Sequence, residues 1–162
     1  MLKYFIKCFI INLLIVCCLS CAEKHKRTFN IDTALLPYVN MWINDTHAMR
    51  QMSIEFIDNA SYAGQCSKWT TWSSDDMNYV TYYEIHINKQ WYSGANNIQR
   101  KQVLYHELAH CVLDKGHNDS MIALDFIMCP KSIMNTHEFG PILAVNCFEK
   151  YFEYYINEIL GR

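Results

Sequence analysis

Two histidines and a glutamate occur at a spacing that suits metal chemistry. The stretch HELAH (106–110) places His106 and His110 four residues apart, so on a helix they lie on one face and can bind one ion. Neutral imidazole is a good ligand for Zn²⁺. Glu107 follows the first histidine and can take a proton from a water that the ion activates. Two histidines leave the coordination incomplete, so a third protein ligand is needed.

The motif and a second segment downstream resemble a known group of enzymes. HELAH resembles the zincin metallopeptidases, and CPKSIMN (129–135) resembles the Met-turn of their metzincin branch. This resemblance implies a zinc-dependent endopeptidase with Glu107 as general base and Met134 beneath the metal. It also implies a long final helix, and that the strand Val80–Asn88 is the edge strand that pairs with the substrate.

The third ligand departs from the metzincin pattern, H-E-x-x-H-x-x-G-x-x-H. His117 comes seven residues after His110, one more than that pattern has, and Leu113 occupies the glycine position. A slightly longer helix, with the turn made at Gly116, would still return His117 to the metal. We therefore predict His117 as the third zinc ligand.

Other groups could complete the site instead. Asp114 or Asp119 could be the third ligand, and a gluzincin-like arrangement would use Glu149 or Glu153 from the last helix. His137 follows the predicted Met-turn and could bind substrate or the transition-state oxyanion, although a surface or core position is the usual role of such a residue.

Length and composition favour one folded domain. The chain has 162 residues, of which 51% are hydrophobic and 19% charged, which is enough apolar material for a core. The formal charge is −2 and no basic block occurs, so nucleic-acid binding has little support. We expect a monomer that acts on a peptide or protein substrate.

The first twenty residues have the pattern of an export signal. Lys3 and Lys7 precede a mostly apolar run over Cys8–Leu19, which is short for a membrane span. The tripeptide LSC (19–21) resembles the end of a bacterial lipobox, with Cys18 where leucine is usual. The resemblance implies a lipid anchor on Cys21.

The alternative at the N-terminus is ordinary signal cleavage before Glu23, which would give a secreted protein. The predicted organisation is a signal peptide over 1–20, a tether over 21–32 and a metallopeptidase-like domain over 33–162. The expected location is the bacterial cell envelope, as a membrane-anchored lipoprotein in the periplasm or at the surface.

Cysteine usage fits export. Four cysteines lie beyond the signal and the lipid site: Cys66, Cys111, Cys129 and Cys147. In an oxidising compartment they can form two disulfides, with three possible pairings. A zinc site built from all four thiolates is not expected, because no two of them are closely spaced.

Apolar periodicity predicts helices over residues 33–50, 98–113 and 142–160. Gly116 suits a position just past the second of these helices. Pro141 suits the start of the third. Alternation predicts strands over 53–57 and 80–88, and less clearly over 68–72. Segments 91–97 and 117–135 have loop composition, the second with some local structure. The order is α+β, with a short mixed sheet, and not alternating β-α.

These observations predict a zinc metallopeptidase with His106, His110 and His117 as ligands and Glu107 as base. The rival prediction is a zinc-binding surface lipoprotein without catalysis. Glu107 argues against it, because a purely structural site has no need of a carboxylate there. Neither the substrate nor the cleavage preference follows from the sequence.

Overall fold

The fold is α+β, as predicted. The computed structural model describes residues 29–74 and 77–162, so the predicted signal peptide, the lipid site and most of the tether lie outside the described residues. In chain order the elements are α1 (Leu36–Thr46), β1 (Ser53–Ile57), β2 (Gly64–Ser73), β3 (Asn78–Asn88), α2 (Lys89–Gly94), α3 (Asn97–Leu113), β4 (Met121–Leu124), β5 (Ile127–Pro130), α4 (Pro141–Leu143), a π-helical turn (Ala144–Glu149) and α5 (Phe152–Leu160). No helix in the described ranges is long and apolar enough to cross a membrane.

The main sheet is mixed, with the strand order β1-β3-β2. β1 is parallel to β3 and β2 is antiparallel to it, so that Ile54 and Cys66 both lie opposite Ile85. The expectation that Val80–Asn88 forms the edge strand is therefore wrong: this segment belongs to β3, the central strand. The long hairpin with β2 covers the other side of β3 and leaves β2 at the edge.

One face of the sheet packs on the helices and forms the core. Ile54, Ile85 and Ile87 are fully buried there, together with Trp42 of α1 and Leu108 of α3. The alternation read in the sequence explains this, because Ile85 and Ile87 point to one face of β3 and His86 to the other.

Helix α3 carries the predicted metal motif, and side-chain hydrogen bonds determine where it begins. The Asn96 side chain accepts hydrogen bonds from the backbone of Ile98 and Gln99, and the Gln99 side chain accepts one from the Asn96 backbone. This reciprocal arrangement is a capping box. The helix ends at Leu113, as expected, but the left-handed residue after it is Asp114, with φ 53°. Gly116, the expected turn, has no positive φ.

Several segments differ from the sequence prediction. Residues 91–97 do not form a loop throughout, because Lys89–Gly94 is a short helix whose first turn is capped by the Asn88 side chain. The last helix is not continuous over 142–160: a π-helical turn follows Leu143, and Tyr151 has the non-helical dihedrals φ −114° and ψ 33°. Within 117–135, β4 and β5 form an antiparallel hairpin.

Two disulfides connect the elements around α3. Cys66 of β2 is bonded to Cys111 of α3, and Cys129 of β5 is bonded to Cys147 in the π-helical turn. The expectation that the four cysteines are oxidised is confirmed, and the structure selects one of the three possible pairings. The first bridge joins the edge strand to the helix that carries the metal motif.

Candidate metal centre

Three histidine rings converge at the C-terminal half of α3. His106 and His110 lie on one face of the helix, and His117 returns to the same point after the turn at Asp114. The Nε2 atom of His110 is 3.0 Å from Nε2 of His106 and 3.1 Å from Nε2 of His117. The ligand atoms of the three histidines all lie within 4.8 Å of one another, so the group could hold a metal ion.

The hydrogen bonds of two of these rings leave their Nε2 atoms in an arrangement that suits a cation. Nδ1 of His106 lies 2.7 Å from the carbonyl oxygen of Ile133, and Nδ1 of His110 lies 2.6 Å from that of Lys115. A carbonyl oxygen only accepts, so both Nδ1 atoms carry the proton and each neutral ring presents its Nε2 lone pair. Two lone pairs 3.0 Å apart repel each other unless a positive ion lies between them. The residues present therefore fit a metal ion.

The environment keeps the first two rings neutral. Burial lowers the pKa of His106 to about 4, although the hydrogen bond to the Ile133 carbonyl opposes this shift. Burial also lowers the pKa of His110, again against a hydrogen bond, here to the Lys115 carbonyl. Metal ligation requires the unprotonated ring. His106 and His110 are thus in the unprotonated state that metal binding requires before a cation binds.

Glu107 lies beside this centre in a buried position between α3 and β2. Its side chain is buried, and burial raises its pKa to about 7 against the opposing hydrogen bond from the Cys66 backbone N–H. The backbone of Gly64 passes so close that a Cβ there would meet Glu107 Cγ at 2.7 Å. A carboxyl group that exchanges its proton near neutral pH suits general base chemistry.

The segment around Ile133 is hydrogen-bonded both to His106 and to the residue that follows His117. The Ile133 carbonyl holds His106, and the Met134 carbonyl accepts a hydrogen bond from the backbone N–H of Asn118, next to His117. Ser132 is fully buried, accepts from the Met134 N–H and donates to Glu158 of α5. Helix α5 therefore fixes a loop that orients two of the three rings.

Comparison with known proteins agrees with this chemistry. The model of the family described as "Putative phage metallopeptidase" matches residues 40–132, more than half of the chain. The chain belongs to this family. No curated protein and no solved structure matches it. The matched segment of this metallopeptidase family contains all three histidines and Glu107, and membership implies a metal-dependent peptidase.

The other candidate ligands do not belong to the three-histidine group. Asp114 is paired with Arg50 and Lys68 at 2.6 and 3.1 Å. Asp119 accepts hydrogen bonds from the backbone and hydroxyl of Thr136. The two glutamates proposed for a gluzincin-like arrangement are both exposed, and Glu153 lines a separate small cavity beside α5.

A cleft of about 760 Å³ is lined by the three histidines and Glu107. Its floor is a stripe of α3, and one wall is the segment 61–66 that leads into the edge strand β2. The segment 135–138, which includes His137, also lines the cleft. The structure thus brings His137 to the same cleft as the three-histidine set, without making it a fourth member of that set.

Three cleft residues were not predicted from the sequence to belong to the site. Gly64 and Cys66 contact Glu107 from β2, and Gln102 lies one helical turn before His106. Gly64 had the composition of a loop, and Gln102 that of an ordinary helical polar residue. Their importance depends on contacts between elements distant in sequence, which no local pattern encodes.

A second group of ionisable residues lies on the outer face of the sheet. His86 Nε2 is 3.4 Å from a Glu55 oxygen and 3.5 Å from a Glu84 oxygen. These residues point away from the core, whereas Cys66 and Ile85 point towards α3. The sheet therefore separates this group from the three histidines. The contacts of the His86 ring with the two carboxylates explain why these three residues lie together.

Proposed function

We propose that the protein is a zinc-dependent endopeptidase with His106, His110 and His117 as zinc ligands and Glu107 as the proton carrier. The convergence of three Nε2 atoms beside a buried carboxylate is the observation that carries this proposal. Three imidazoles, with no fourth protein ligand grouped with them among the described residues, are a donor set of catalytic zinc sites. A structural zinc site would instead be closed by a fourth protein ligand.

Each residue of the proposed site has a separate chemical role. Bound zinc would polarise the peptide carbonyl and the attacking water. Glu107 accepts a proton from that water and passes it to the leaving amine. The Cys66 N–H orients the Glu107 carboxylate, and the close approach of Gly64 excludes water from its side. The carbonyls of Ile133 and Lys115 hold His106 and His110 in the tautomer that binds a metal.

We place the site in the metzincin branch, with the turn moved along the chain by one residue. Asp114 is the left-handed residue after α3, and His117 follows it by three positions. The G-x-x-H part of the metzincin pattern has the same spacing from turn to ligand. The longer helix thus accounts for the late histidine, and the buried Met134, bonded through its carbonyl to Asn118, is the candidate Met-turn residue.

The substrate is proposed to bind as an extended peptide beside β2. Among the described residues, no strand pairs with the second edge of β2, and the start of this strand forms a wall of the cleft. An unpaired edge can add one more strand through main-chain hydrogen bonds. This mode accepts many sequences, because the backbone supplies the contacts.

The direct test is digestion of a peptide library by the zinc-loaded protein, with a chelator control. We expect internal cleavage that the chelator abolishes and that zinc restores. A zinc-loaded protein that cleaves no peptide would support the non-catalytic zinc-binding alternative.

Two substitutions separate the roles of ligand and base. Glu107→Gln should keep bound zinc and lose turnover by at least about 100-fold, as is usual for loss of a general base. His117→Ala should lower both zinc content and activity, because it removes a ligand. Asp119→Asn is the control and should retain both. If His117→Ala keeps full zinc and activity while Glu149→Ala or Glu153→Ala loses both, the gluzincin-like site replaces this one.

We also propose that the protein is exported and anchored by a lipid on Cys21. The apolar run, its lysines and the LSC tripeptide support this proposal. The two disulfides agree with an oxidising compartment. A domain on a tether of about a dozen residues would act on substrates close to the membrane surface.

A further inference from the structure

Gln102 is a buried polar residue on the floor of the cleft. It lies on α3, four residues before His106, and only 1% of its surface is exposed. Its Oε1 accepts a hydrogen bond from the backbone N–H of Phe139 at 3.4 Å. Because that donor needs an acceptor, the oxygen of the amide faces Phe139 and the nitrogen faces the other way.

The amide nitrogen of Gln102 is left as a free donor in the cleft. No described residue accepts a hydrogen bond from it. In the described ranges, every buried side-chain nitrogen or oxygen that is sealed from solvent has a hydrogen-bond partner. The nitrogen must therefore reach solvent, and the cleft is the open space that Gln102 lines.

The spacing of Gln102 and His106 along α3 is close to the repeat of an extended peptide that lies along the helix. The cleft floor follows one stripe of α3, formed by Gln102, Val103, His106, Glu107 and His110. At 1.5 Å per residue, Gln102 and His106 are about 6 Å apart along the helix axis. Carbonyl groups two residues apart on an extended chain point the same way and lie about 6.6 Å apart.

We infer that the side-chain amide of Gln102 donates a hydrogen bond to a backbone carbonyl of the bound peptide, two residues from the carbonyl that is attacked. This inference rests on the proposed function. It makes Gln102 a substrate-binding residue that fixes the position of the peptide along the cleft. A backbone carbonyl is present in every peptide, so the contact sets position without selecting a side chain.

Peptide binding without turnover provides the test. The probe is the peptide that the wild type cleaves fastest in the library digest, and it is titrated calorimetrically into zinc-loaded Glu107→Gln protein. Adding Gln102→Leu should raise the dissociation constant about tenfold, as expected for the loss of one neutral hydrogen bond. In the active protein, Gln102→Leu should raise KM by a similar factor with little change in kcat, because the contact is made equally before and during the reaction.

Two further variants separate this role from a structural one. Gln102→Glu keeps the acceptor for the Phe139 N–H but removes both donors, so near pH 8 it should weaken binding at least as much as Gln102→Leu. It also preserves the test if Gln102→Leu fails to fold. Gln51→Leu makes the same change at an exposed position outside the cleft and should leave binding unchanged. Zinc content should be equal in all of these proteins.

Shortened peptides identify the carbonyl. A peptide that ends within two residues of the cleaved bond, on the side that contacts Gln102, should bind wild-type and Gln102→Leu sites equally. If the wild type cleaves peptides but both Gln102 variants bind them within twofold of the parent, this inference is wrong and the proposed function stands. If the wild type cleaves no peptide and Glu107→Gln binds none, both are wrong.

Discussion

The backbone of Gly64 lies against the side chain of Glu107, at a distance that leaves no room for a methyl group. A Cβ at Gly64 would approach Glu107 Cγ to 2.7 Å and Val103 Cγ1 to 3.0 Å. The closest atoms belong to a buried side chain on a helix, so the helix or the carboxylate must move. The edge strand and the Glu107 side chain are therefore fitted to each other.

Gly64→Ala should lose activity while keeping its zinc. Displacement of Glu107 by a fraction of an ångström should lower kcat on the order of 100-fold, whereas the three histidines do not contact Gly64. Zinc content by atomic absorption and turnover of the best library peptide are the measurements. Gly94→Ala is the matched control, because nothing lies within 4 Å of a Cβ at that position. Full activity in Gly64→Ala would show that Glu107 tolerates the displacement.

Loss of the Cys66–Cys111 bridge should destabilise the fold more than loss of Cys129–Cys147. The bridges close loops of 45 and 18 residues, and the loop-entropy relation gives about 4 and about 3 kcal/mol for such loops. Urea unfolding of the two double serine variants measures the difference. The variant lacking Cys66 and Cys111 should also lose more activity, because Cys66 contacts Glu107. Equal activity in the two variants would contradict that second effect.

Ser132→Ala should weaken metal binding from a distance. The Ser132 hydroxyl joins the Met134 N–H to Glu158 of α5 and is fully buried. Its removal leaves buried polar groups unpaired, which costs about 1–3 kcal/mol of stability. It also loosens the carbonyl of Ile133 that holds His106. Unfolding curves and zinc titrations test this, with Ser93→Ala as an exposed control; unchanged values in both variants would refute it.

Asp114→Asn should reduce stability at neutral pH but not in acid. The hydrogen bonds and charges of Arg50 and Lys68 lower the pKa of Asp114 from 3.8 to about 2. A lowered pKa means that the carboxylate stabilises the fold above the unfolded value and that this contribution is lost as pH falls towards 2. The pair is half exposed, so the effect should stay below about 1 kcal/mol. Asparagine also tolerates the left-handed backbone.

Urea unfolding of the wild type and Asp114→Asn at several pH values tests this sign. The two stabilities should differ near neutral pH and converge near pH 2. A difference that is constant across this range would mean that the side chain acts through the turn itself and not through its charge.

Cys21→Ala should release the protein from membranes. If Cys21 carries the lipid, the wild type fractionates with membranes, whereas the variant does not. Membrane fractionation and mass spectrometry of the mature N-terminus are the measurements. A wild type that is already soluble and begins at Glu23 would exclude the anchor and favour ordinary signal cleavage.

Local patterns predicted the helix that carries HELAH well. His106 and His110 share a face because helical geometry requires it, and apolar periodicity placed the start of the helix at 98, one residue after its observed start at Asn97. The strand pairing was not predictable in the same way. Whether β2 or β3 lies at the edge depends on which strands pair, and the alternation of apolar residues is the same in both cases.

The last helix shows a second limit of local patterns. Apolar residues recur over 142–160 as they would in one helix, yet the backbone has a π-helical turn and a break at Tyr151. Cys147, in the π-helical turn, is bonded to Cys129 of β5, and this long-range constraint has no counterpart in the helical periodicity. Likewise, the roles of Gly64 and Gln102 arise only when α3 meets β2 and Phe139.

The left-handed turn at Asp114 has a consequence for how such enzymes are recognised in new sequences. A search pattern that demands glycine three residues after the second histidine would pass over this chain. Here an aspartate one position later makes the turn, and two cations, Arg50 and Lys68, hold its side chain. A pattern that fixes the three-residue interval from turn to final histidine, and allows glycine, asparagine or aspartate at the turn, would retain it.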